Sequence, residues 1–275
     1  MIVTKFRDKI YPRRENPTLQ IEYSDEIYNQ CLILLDDLCQ SMSGRSLSQF
    51  GLPSPQRNET GLQFGELLRE QNYDSNTLMT FVSLNEPQLV PDQRAAYIHI
   101  LESVRSEKGG IIFLDAPGGT GKTFVINLLL ATIRRDKGIA LAVASSGIAS
   151  TLLAGGRTAH SAFKLPLNMN HSENVTCNIS KGSGKAKVLQ QCSLIVWDEC
   201  TMSHKRALEA LDNVLQDLRG NRKLMGGTVV VLAGDFRQTL PVIPRSTPSD
   251  ELNACLKASR LWNQGLILKR NFPNV

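Results

Sequence analysis

Short apolar runs alternate with stretches of helical periodicity over most of this chain. The runs that we interpret as strands are Ile111–Asp115, Ile139–Ala144, Leu194–Trp197 and Thr228–Ala233. The periodic stretches predict helices at Pro91–Val104, Thr123–Asp136, Ile148–Leu153 and Ser203–Arg219. Apolar strands that alternate with helices are typical of a parallel sheet with helices on both faces. We therefore predict an α/β fold from about Leu84 onward, with ligands at the carboxyl ends of the strands.

Two of the predicted helices have distinctive features. The segment Phe124–Ile133 is apolar almost all round, as expected of a helix buried against a sheet. The helix over Ser203–Arg219 presents a single apolar face. Ser203 can cap its start, and Gly220 can end it.

Residues 1–80 have a different pattern. Apolar positions recur at helical spacing over Asp25–Met42, which predicts an amphipathic helix. Polar, proline-bearing sequence follows between Leu52 and Thr60, and we interpret it as a linker or a loosely packed arm. The predicted organisation is a smaller helical N-terminal arm with its linker over residues 1–80, followed by the α/β domain over residues 81–275.

The composition is that of an ordinary globular protein, with 41% hydrophobic and 21% charged residues. The formal net charge of +5 is compatible with binding to a polyanion but is too small to identify one. No apolar run reaches transmembrane length, and the basic start lacks the apolar core of a signal peptide. We therefore expect an intracellular, nuclear protein without a membrane partner. A mitochondrial presequence is the alternative, against which Asp8 and Glu15 argue.

A glycine-rich turn joins the first predicted strand to the apolar helix. Backbone N–H groups of such a turn can converge on phosphate oxygens, and the following helix N-terminus adds a partial positive charge. Lys122 can then reach the β- and γ-phosphates, and the Thr123 hydroxyl can ligate Mg²⁺. The residues expected to hold the nucleotide are Ala116, Pro117, Gly118, Gly119, Thr120, Gly121, Lys122 and Thr123.

The P-loop pattern normally opens with glycine, and Ala116 takes that place here. A small residue suffices at this position. The alternative is a chance glycine turn ahead of a core helix. Because strand, loop and buried helix occur in the required order, we favour the P-loop and predict that the chain binds a nucleoside triphosphate.

Adjacent carboxylates follow the predicted strand Leu194–Trp197. Asp198 is suited to holding Mg²⁺ through its water shell, and Glu199 to orienting and deprotonating the water that attacks the γ-phosphorus. An Asp-Glu pair at a strand end is a weak signal alone. Downstream of a P-loop in the right fold it becomes a strong one.

The last predicted strand leads into the run GDFRQTLPVIP, from Gly234 to Pro244. Gly234 and Asp235 would turn the chain and leave Gln238 to sense the γ-phosphate from a third strand tip. The alternative is a polar loop whose glutamine caps a backbone group. These residues alone do not separate the two interpretations.

Four segments together carry a family resemblance: APGGTGKT, ALAVASSGIASTLLAGGRTAHSAFKLPL, LIVWDECTM and VVLAGDFRQTLPVIP. They resemble superfamily-1 DNA helicases, and more closely the petite-integration-frequency (Pif) type in the branch encoded by Helitron transposons. The resemblance runs from about Leu84 to the C-terminus. The N-terminal arm is similar, through less specific motifs, to the segment that precedes the helicase in that branch.

The resemblance implies a RecA-like P-loop NTPase domain, ATP and Mg²⁺ as cofactors, and five-prime to three-prime translocation on single-stranded DNA. Roles in DNA repair, recombination or transposition are implied by the family. Gln93 matches the glutamine that reads adenine, and the alternative for Gln93 is a surface polar residue at a helix start. The matching catalytic positions are Lys122, Glu199 and Gln238, and the matching metal positions are Thr123 and Asp198.

The resemblance also implies which segments touch DNA, namely Ala144–Ser150 and Gly156–Lys164. Phe163 can stack on a base, and the alternative for it is a core aromatic. The loop Lys181–Lys187 can follow a DNA backbone, and the alternative for it is a solvated flexible loop. The residues expected to contact phosphates are Thr158, His160, Ser161 and Lys164.

Two features depart from the family pattern. The sequence ends at Val275, where such helicases continue into a second RecA-like domain that completes the ATP site. Pro273 stands where the family has an arginine finger, with Arg270 three residues away. Such fingers are worth about 10³- to 10⁵-fold in turnover. We therefore expect ATP binding, feeble hydrolysis and no unwinding by these 275 residues alone.

Three functions are compatible with the sequence. The first is an ATP-dependent DNA helicase motor domain, and the second is a nucleotide-gated DNA-binding module without motor activity. The third is a P-loop kinase or another NTPase that acts on a small molecule, against which the helicase-like run Gly234–Gln238 argues. ATP turnover with and without DNA distinguishes the first two, and a salt-dependent DNA titration distinguishes both from the third.

Overall fold

The structure, a computed structural model, describes residues 45–56, 66–166, 169, 175–238, 240–243 and 247–269, with single positions between 25 and 39. The chain divides into two compact units, Met1–Arg57 and Asn58–Val275. The second unit contains every candidate site residue named above.

The first unit includes the described positions of the helix predicted over Asp25–Met42. Every described position from 25 to 39 is helical, while Met42 lies outside the described residues. A 3-10 turn follows at Leu47–Phe50. The Leu47 N–H donates to the Asp36 carboxylate at 2.7 Å, so the turn is tied back to the helical stretch.

A parallel sheet forms the centre of the second unit. Its strands are β1 (Gly110–Asp115), β2 (Ile139–Ala144), β3 (Arg157–Thr158), β4 (Cys192–Asp198), β5 (Val229–Gly234) and β6 (Leu266–Lys269). They lie in the order β3-β2-β4-β5-β1-β6. The strands that the pattern predicts are the central members β2, β4, β5 and β1, which confirms the parallel α/β fold. The edge strands β3, with two residues, and β6, with four, are too short to show a period, and the pattern does not predict them.

Helices cover both faces of this sheet. They are α1 (Ser75–Asn85), α2 (Pro91–Arg105), α3 (Lys122–Arg135), α4 (Gly147–Thr151), α5 (Ala159–Phe163), α6 (Gly184–Gln191), α7 (Lys205–Arg219) and α8 (Pro248–Ala254). The predicted helices are confirmed as α2, α3, α4 and α7. Successive residues of β1 lie in two separate hydrophobic cores. Phe113 belongs to the core that includes residues of α6 and α7, and Leu114 belongs to the core that includes residues of α1, α2 and α3. No helix in the described part of the chain has the length and apolar character that a membrane crossing requires.

Two local predictions are wrong. The cap of α7 is His204 rather than Ser203, because the His204 imidazole accepts a backbone N–H of the first turn at 3.1 Å. The segment Lys181–Lys187 is not a continuous loop, since α6 begins at Gly184 with Ser183 as its cap. In both cases a neighbouring side chain offers the helix start an acceptor that simple spacing does not identify.

The unit boundary lies between Arg57 and Asn58, whereas the sequence pattern places the end of the arm at residue 80. The described residues from 66 to 80 belong to the α/β unit because they contact its helices and β3. The Tyr73 ring lies 4.4 Å from the guanidinium carbon of Arg134, a residue of α3. Val82 of α1 is buried in the same core as α3. These contacts join positions far apart in sequence, so local periodicity does not reveal them.

The ion pair between Glu70 and Arg157 of β3 is expected to stabilise this unit. The Glu70 side chain is 4% exposed and the Arg157 side chain 25%. Glu70→Gln removes the carboxylate that neutralises Arg157 and should cost roughly 1–3 kcal/mol of unfolding free energy, measured by urea denaturation. Asp217→Asn is the matched control, because the Asp217–Lys181 pair is 58% and 68% exposed. It should cost less than about 1 kcal/mol. Equal losses would contradict the role of burial.

Candidate nucleotide-binding site

The glycine turn leads directly into the N-terminus of α3. Gly121 caps this helix in the left-handed region, with φ of 80°. A Cβ at Gly121 would lie 2.6 Å from Nε2 of Gln93, so a side chain there would displace the Gln93 amide. Ala116, which replaces the usual first glycine, is fully buried, and this explains why the position needs a small residue. The first N–H groups of α3 have no partner within the helix and are available to an anion.

Lys122 is the first residue of α3, and its ammonium group is held at the start of the glycine turn. Nζ donates to the carbonyl oxygens of Ala116 at 2.6 Å and Pro117 at 3.1 Å. The Thr120 hydroxyl donates to the same Pro117 carbonyl at 2.7 Å. Because both acceptors of Lys122 are neutral, an anionic phosphate is a stronger partner for this ammonium than either carbonyl.

The turn after β5 lies against the glycine turn. Since β5 lies between β1 and β4, its carboxyl end is next to both the P-loop and the acids. Nε2 of Gln238 would be 2.9 Å from a Cβ placed on Gly118, so the amide lies directly over that glycine. The Gln238 N–H donates to the Asp235 carbonyl at 3.1 Å and closes the turn. The structure therefore brings the third strand tip to the P-loop.

Gln93 links the start of α2 to the glycine turn. Its side chain is 4% exposed, so the alternative of a surface polar residue is wrong. Nε2 donates to the Thr120 carbonyl at 3.0 Å, and Oε1 accepts the Val90 N–H at 3.3 Å. A movement of the glycine turn is therefore transmitted to the start of α2 through the Gln93 side chain.

Asp198 and Glu199 follow each other at the end of β4. Asp198 is 4% exposed, and its carboxylate accepts the Glu199 N–H at 2.9 Å. Burial raises the pKa of Asp198, and the nearby Lys122 charge opposes that rise. Burial also raises the pKa of Glu199, helped by the Asp198 charge and again opposed by Lys122. Glu199 has a φ of 50°, an uncommon conformation for a non-glycine residue that recurs at functional sites.

The charge of Lys122 thus acts on groups from two strand ends. It favours the ionised forms of Asp198 and Glu199 at β4 and of Asp235 after β5. With Gln238 over Gly118, the predicted lysine, acids and amide gather around one glycine turn.

The oxygen donors near this turn suit Mg²⁺. Thr123 supplies a partly exposed hydroxyl-bearing side chain in the first turn of α3, and Asp198 supplies a carboxylate. Mg²⁺ binds through one or two such groups and completes its shell with waters and phosphate oxygens. Within the described residues, no group of three or more His, Cys, Asp or Glu side chains could cage a metal. Thr123 and Asp198 fit a cation that arrives with a nucleotide.

Comparison with known proteins identifies the family. Residues 88–272 match the family model described as PIF1-like helicase. The chain belongs to this family. It is 34% identical over 154 residues to the ATP-dependent DNA helicase Pif1 of Psychrobacter sp. (strain PRwf-1), which covers 56% of this chain and 23% of that protein. The resemblance to Pif-type helicases is confirmed.

Solved Pif1 helicases share the fold. The crystal structure of Pif1 helicase from Candida albicans matches with a TM-score of 0.54 at 24% identity, covering 66% of this chain and 40% of that one. Pif1 helicase from Bacteroides in complex with ADP-AlF3 and ssDNA matches with a TM-score of 0.50 at 21% identity, covering 64% and 42%. These matches confirm the RecA-like P-loop fold. The chain spans less than half the length of each relative.

In this member of the PIF1-like helicase family, one segment predicted to touch DNA, Ala144–Ser150, begins at the carboxyl end of β2, and the other, Gly156–Lys164, contains β3 and α5. The Thr158 hydroxyl accepts the Ser161 N–H at 3.3 Å and caps α5. The Ser161 carbonyl accepts from Lys185 Nζ at 2.6 Å. His160 is half-buried, and burial lowers the pKa of its imidazole. Lys164 ends α5 in the left-handed region, with φ of 50°.

The prediction that Phe163 stacks on a base is wrong. Phe163 is fully buried, and its ring centroid lies 5.6 Å from that of Trp197. The alternative of a core aromatic is therefore correct. Local sequence could not decide this, since the partner Trp197 lies in β4, a distant part of the chain.

Sequence reasoning missed the contribution of Asp235 and Arg237. Asp235 is 4% exposed, and its carboxylate accepts from Nε of Arg237 at 2.9 Å and from the Arg237 N–H at 3.0 Å. The hydrogen bond from the Arg237 side chain holds the pKa of Asp235 low. Asp235 is therefore a negative charge that interacts electrostatically with both Lys122 and Glu199. The Asp-x-Arg spacing was the only available signal.

Asp198→Asn is expected to stabilise the folded chain at neutral pH. Because burial raises the pKa of Asp198, the folded state binds more protons at this site than the unfolded state. The stability contribution of the site therefore falls as pH rises through the folded-state pKa. Thermal unfolding should show a higher melting temperature for the variant at about pH 7.5, and a smaller difference near about pH 4. A lower melting temperature at both values would show that attraction to Lys122 outweighs burial.

Proposed function

We propose that residues 81–275 belong to the first RecA-like motor domain of an ATP-dependent DNA helicase, that this domain also includes the contacting residues Glu70 and Tyr73, and that a helical arm precedes it. The motor would couple ATP hydrolysis to five-prime to three-prime movement on single-stranded DNA. The observation that carries the proposal is the meeting of three strand ends at one glycine turn, with Gln238 over Gly118 and the β4 acids within the field of Lys122.

Each residue has a distinct role in this proposal. Lys122 binds the β- and γ-phosphates, and Thr123 and Asp198 hold Mg²⁺, which neutralises phosphate charge when it is bound. Glu199 accepts a proton from the water that attacks the γ-phosphorus, and its raised pKa suits a general base. Gln238 contacts the γ-phosphate, and Gln93 reads the adenine. A second RecA-like domain would complete the ATP site.

The proposed DNA-contacting surface consists of the segments Ala144–Ser150 and Gly156–Lys164, with Thr158, His160, Ser161 and Lys164 as phosphate contacts. Support comes from the matched Bacteroides Pif1 helicase, which was solved with ADP-AlF3 and ssDNA. We propose roles in repair, recombination or transposition of DNA, which would place the protein in the nucleus.

A salt titration of oligothymidine binding tests this function. Since phosphate contacts release counterions, log Kd should rise linearly with log salt concentration, with a slope of about 0.7 per contacted phosphate. Lys164→Gln should lower that slope by about 0.7. Lys223→Gln is the control, because Lys223 precedes β5 and so lies toward the amino-terminal ends of the strands, away from the proposed site. Fluorescence anisotropy at several salt concentrations gives the slopes.

Absence of salt-dependent binding, or equal slope changes in both variants, would contradict the proposed DNA surface. Phosphate release from ATP, measured with and without oligothymidine, tests whether DNA stimulates ATP hydrolysis. Stimulation by DNA supports a motor domain. Nucleotide and DNA binding without stimulation would instead support a nucleotide-gated DNA-binding module.

A further inference from the structure

We infer that Trp197 is a positioning residue that connects the acids of the nucleotide site to both DNA-contacting segments. The inference rests on the proposed function. It assigns the coupling between nucleotide binding and DNA binding to the Trp197 side chain and its hydrogen-bonded partners. Trp197 immediately precedes Asp198 in β4, and it is 1% exposed. A displacement of the Asp198 backbone therefore acts directly on Trp197.

Trp197 contacts both DNA-contacting segments with different parts of its ring system. The indole Nε1 donates to the Ser145 hydroxyl at 3.0 Å, and Ser145 lies in the segment Ala144–Ser150. The ring itself packs on Phe163, with centroids 5.6 Å apart and planes inclined by 53°. Phe163 ends α5, the helix that carries His160 and Ser161. One rigid side chain thus contacts both segments.

A second connection runs through Ser203. Its hydroxyl lies 2.8 Å from the Ser145 hydroxyl, which also accepts from Trp197. Ser203 follows the 3-10 turn Cys200–Met202, which begins directly after Glu199. The Met202 N–H donates to the Glu199 carbonyl at 3.2 Å. A change in the backbone at Glu199 is therefore transmitted to Ser145 through this short turn.

Backbone pairing completes the connection. The Ser145 N–H donates to the Asp198 carbonyl at 3.1 Å, continuing the pairing of β2 with β4. Ser145 is therefore hydrogen-bonded to Asp198 through its amide, and through its hydroxyl to Trp197 before the acids and Ser203 after them. Because close-packed interiors shift between discrete arrangements rather than deform smoothly, movement of the acids should reposition Ser145 and Phe163 together.

Changing Trp197 or Ser203 is expected to abolish the coupling between nucleotide binding and DNA binding without weakening the binding of either ligand alone. The coupling factor is the ratio of oligothymidine Kd values without and with a saturating non-hydrolysable ATP analogue and Mg²⁺. We expect a factor of about 5 to 150 for the wild-type chain, the usual range for linked sites. Trp197→Phe keeps an aromatic ring on Phe163 but removes the N–H donor. Ser203→Ala removes the hydroxyl without altering the core.

Both variants should retain each separate affinity within about twofold while the coupling factor falls toward one. Ser203→Thr retains a hydroxyl and should restore coupling. Trp262→Phe is the matched control, because its ring packs on the aromatic rings of Phe113 and Phe236. Anisotropy of labelled oligothymidine supplies the Kd values, and thermal unfolding of every variant identifies any loss of folding.

The outcomes are separable. If the wild-type chain binds neither the analogue nor oligothymidine, the proposed function fails and this inference fails with it. If it binds both but shows no coupling, or if Ser203→Ala and Trp197→Phe keep wild-type coupling, only the inference is overturned. A fall in melting temperature with an unchanged coupling factor would show that Trp197 is a core residue and nothing more.

Discussion

Lys122→Ala is expected to weaken binding of Mg²⁺-ATP by about 30- to 4,000-fold, because truncating one member of a desolvated charge pair costs about 2–5 kcal/mol. The Lys122 side chain is 8% exposed, so water screens its contact with phosphate poorly. Its present partners are the neutral carbonyls of Ala116 and Pro117, which makes it available to an anion. Isothermal titration calorimetry with ATP and Mg²⁺ measures the loss.

Two controls separate charge from packing in this experiment. Lys122→Met keeps most of the buried aliphatic chain and should lose affinity like the alanine variant, since the ammonium is what binds phosphate. Lys108→Ala removes an exposed charge just before the amino-terminal end of β1, whereas the glycine turn follows the carboxyl end. This variant should leave the ATP affinity unchanged. Equal ATP affinity in the wild-type chain and the Lys122 variants would refute the assignment of the nucleotide site.

Glu199→Gln is expected to reduce ATP hydrolysis by about 10²- to 10⁴-fold while leaving ATP binding intact. The amide has the same shape but does not accept a proton from the attacking water. Phosphate release with saturating oligothymidine measures turnover, and calorimetry measures binding. Glu102→Gln, on the exposed side of α2, is the control and should match the wild-type chain.

The pH dependence provides an independent check of the same residue. Burial and the Asp198 charge raise the pKa of Glu199, so its carboxylate is lost at a higher pH than an ordinary glutamate. Turnover should therefore fall on the acidic side at a pH above the usual glutamate pKa of about 4.3. In Glu199→Gln this acidic limb should disappear from the residual rate. Wild-type turnover in the variant would exclude Glu199 as the base.

The sequence identifies candidate site residues most directly where they are contiguous in the chain. The run from β1 through the glycine turn to α3 is contiguous, so each part of the P-loop is visible in sequence. The acids after β4 are equally local. The sequence pattern places the boundary at residue 80 rather than after Arg57, because the contacts of Tyr73 and Val82 with the core around α3 depend on packing rather than periodicity.

The parallel α/β fold, the glycine turn and the acids at a strand end were determined by the sequence alone, because local periodicity and contiguous motifs report them directly. Only the tertiary structure decided that β5 lies between β1 and β4, which brings Gln238 over Gly118. It also decided that Phe163 is buried against Trp197 and that Trp197 bonds to Ser145. Such contacts depend on the order of strands and on close packing between distant segments, and no local pattern of residues encodes either.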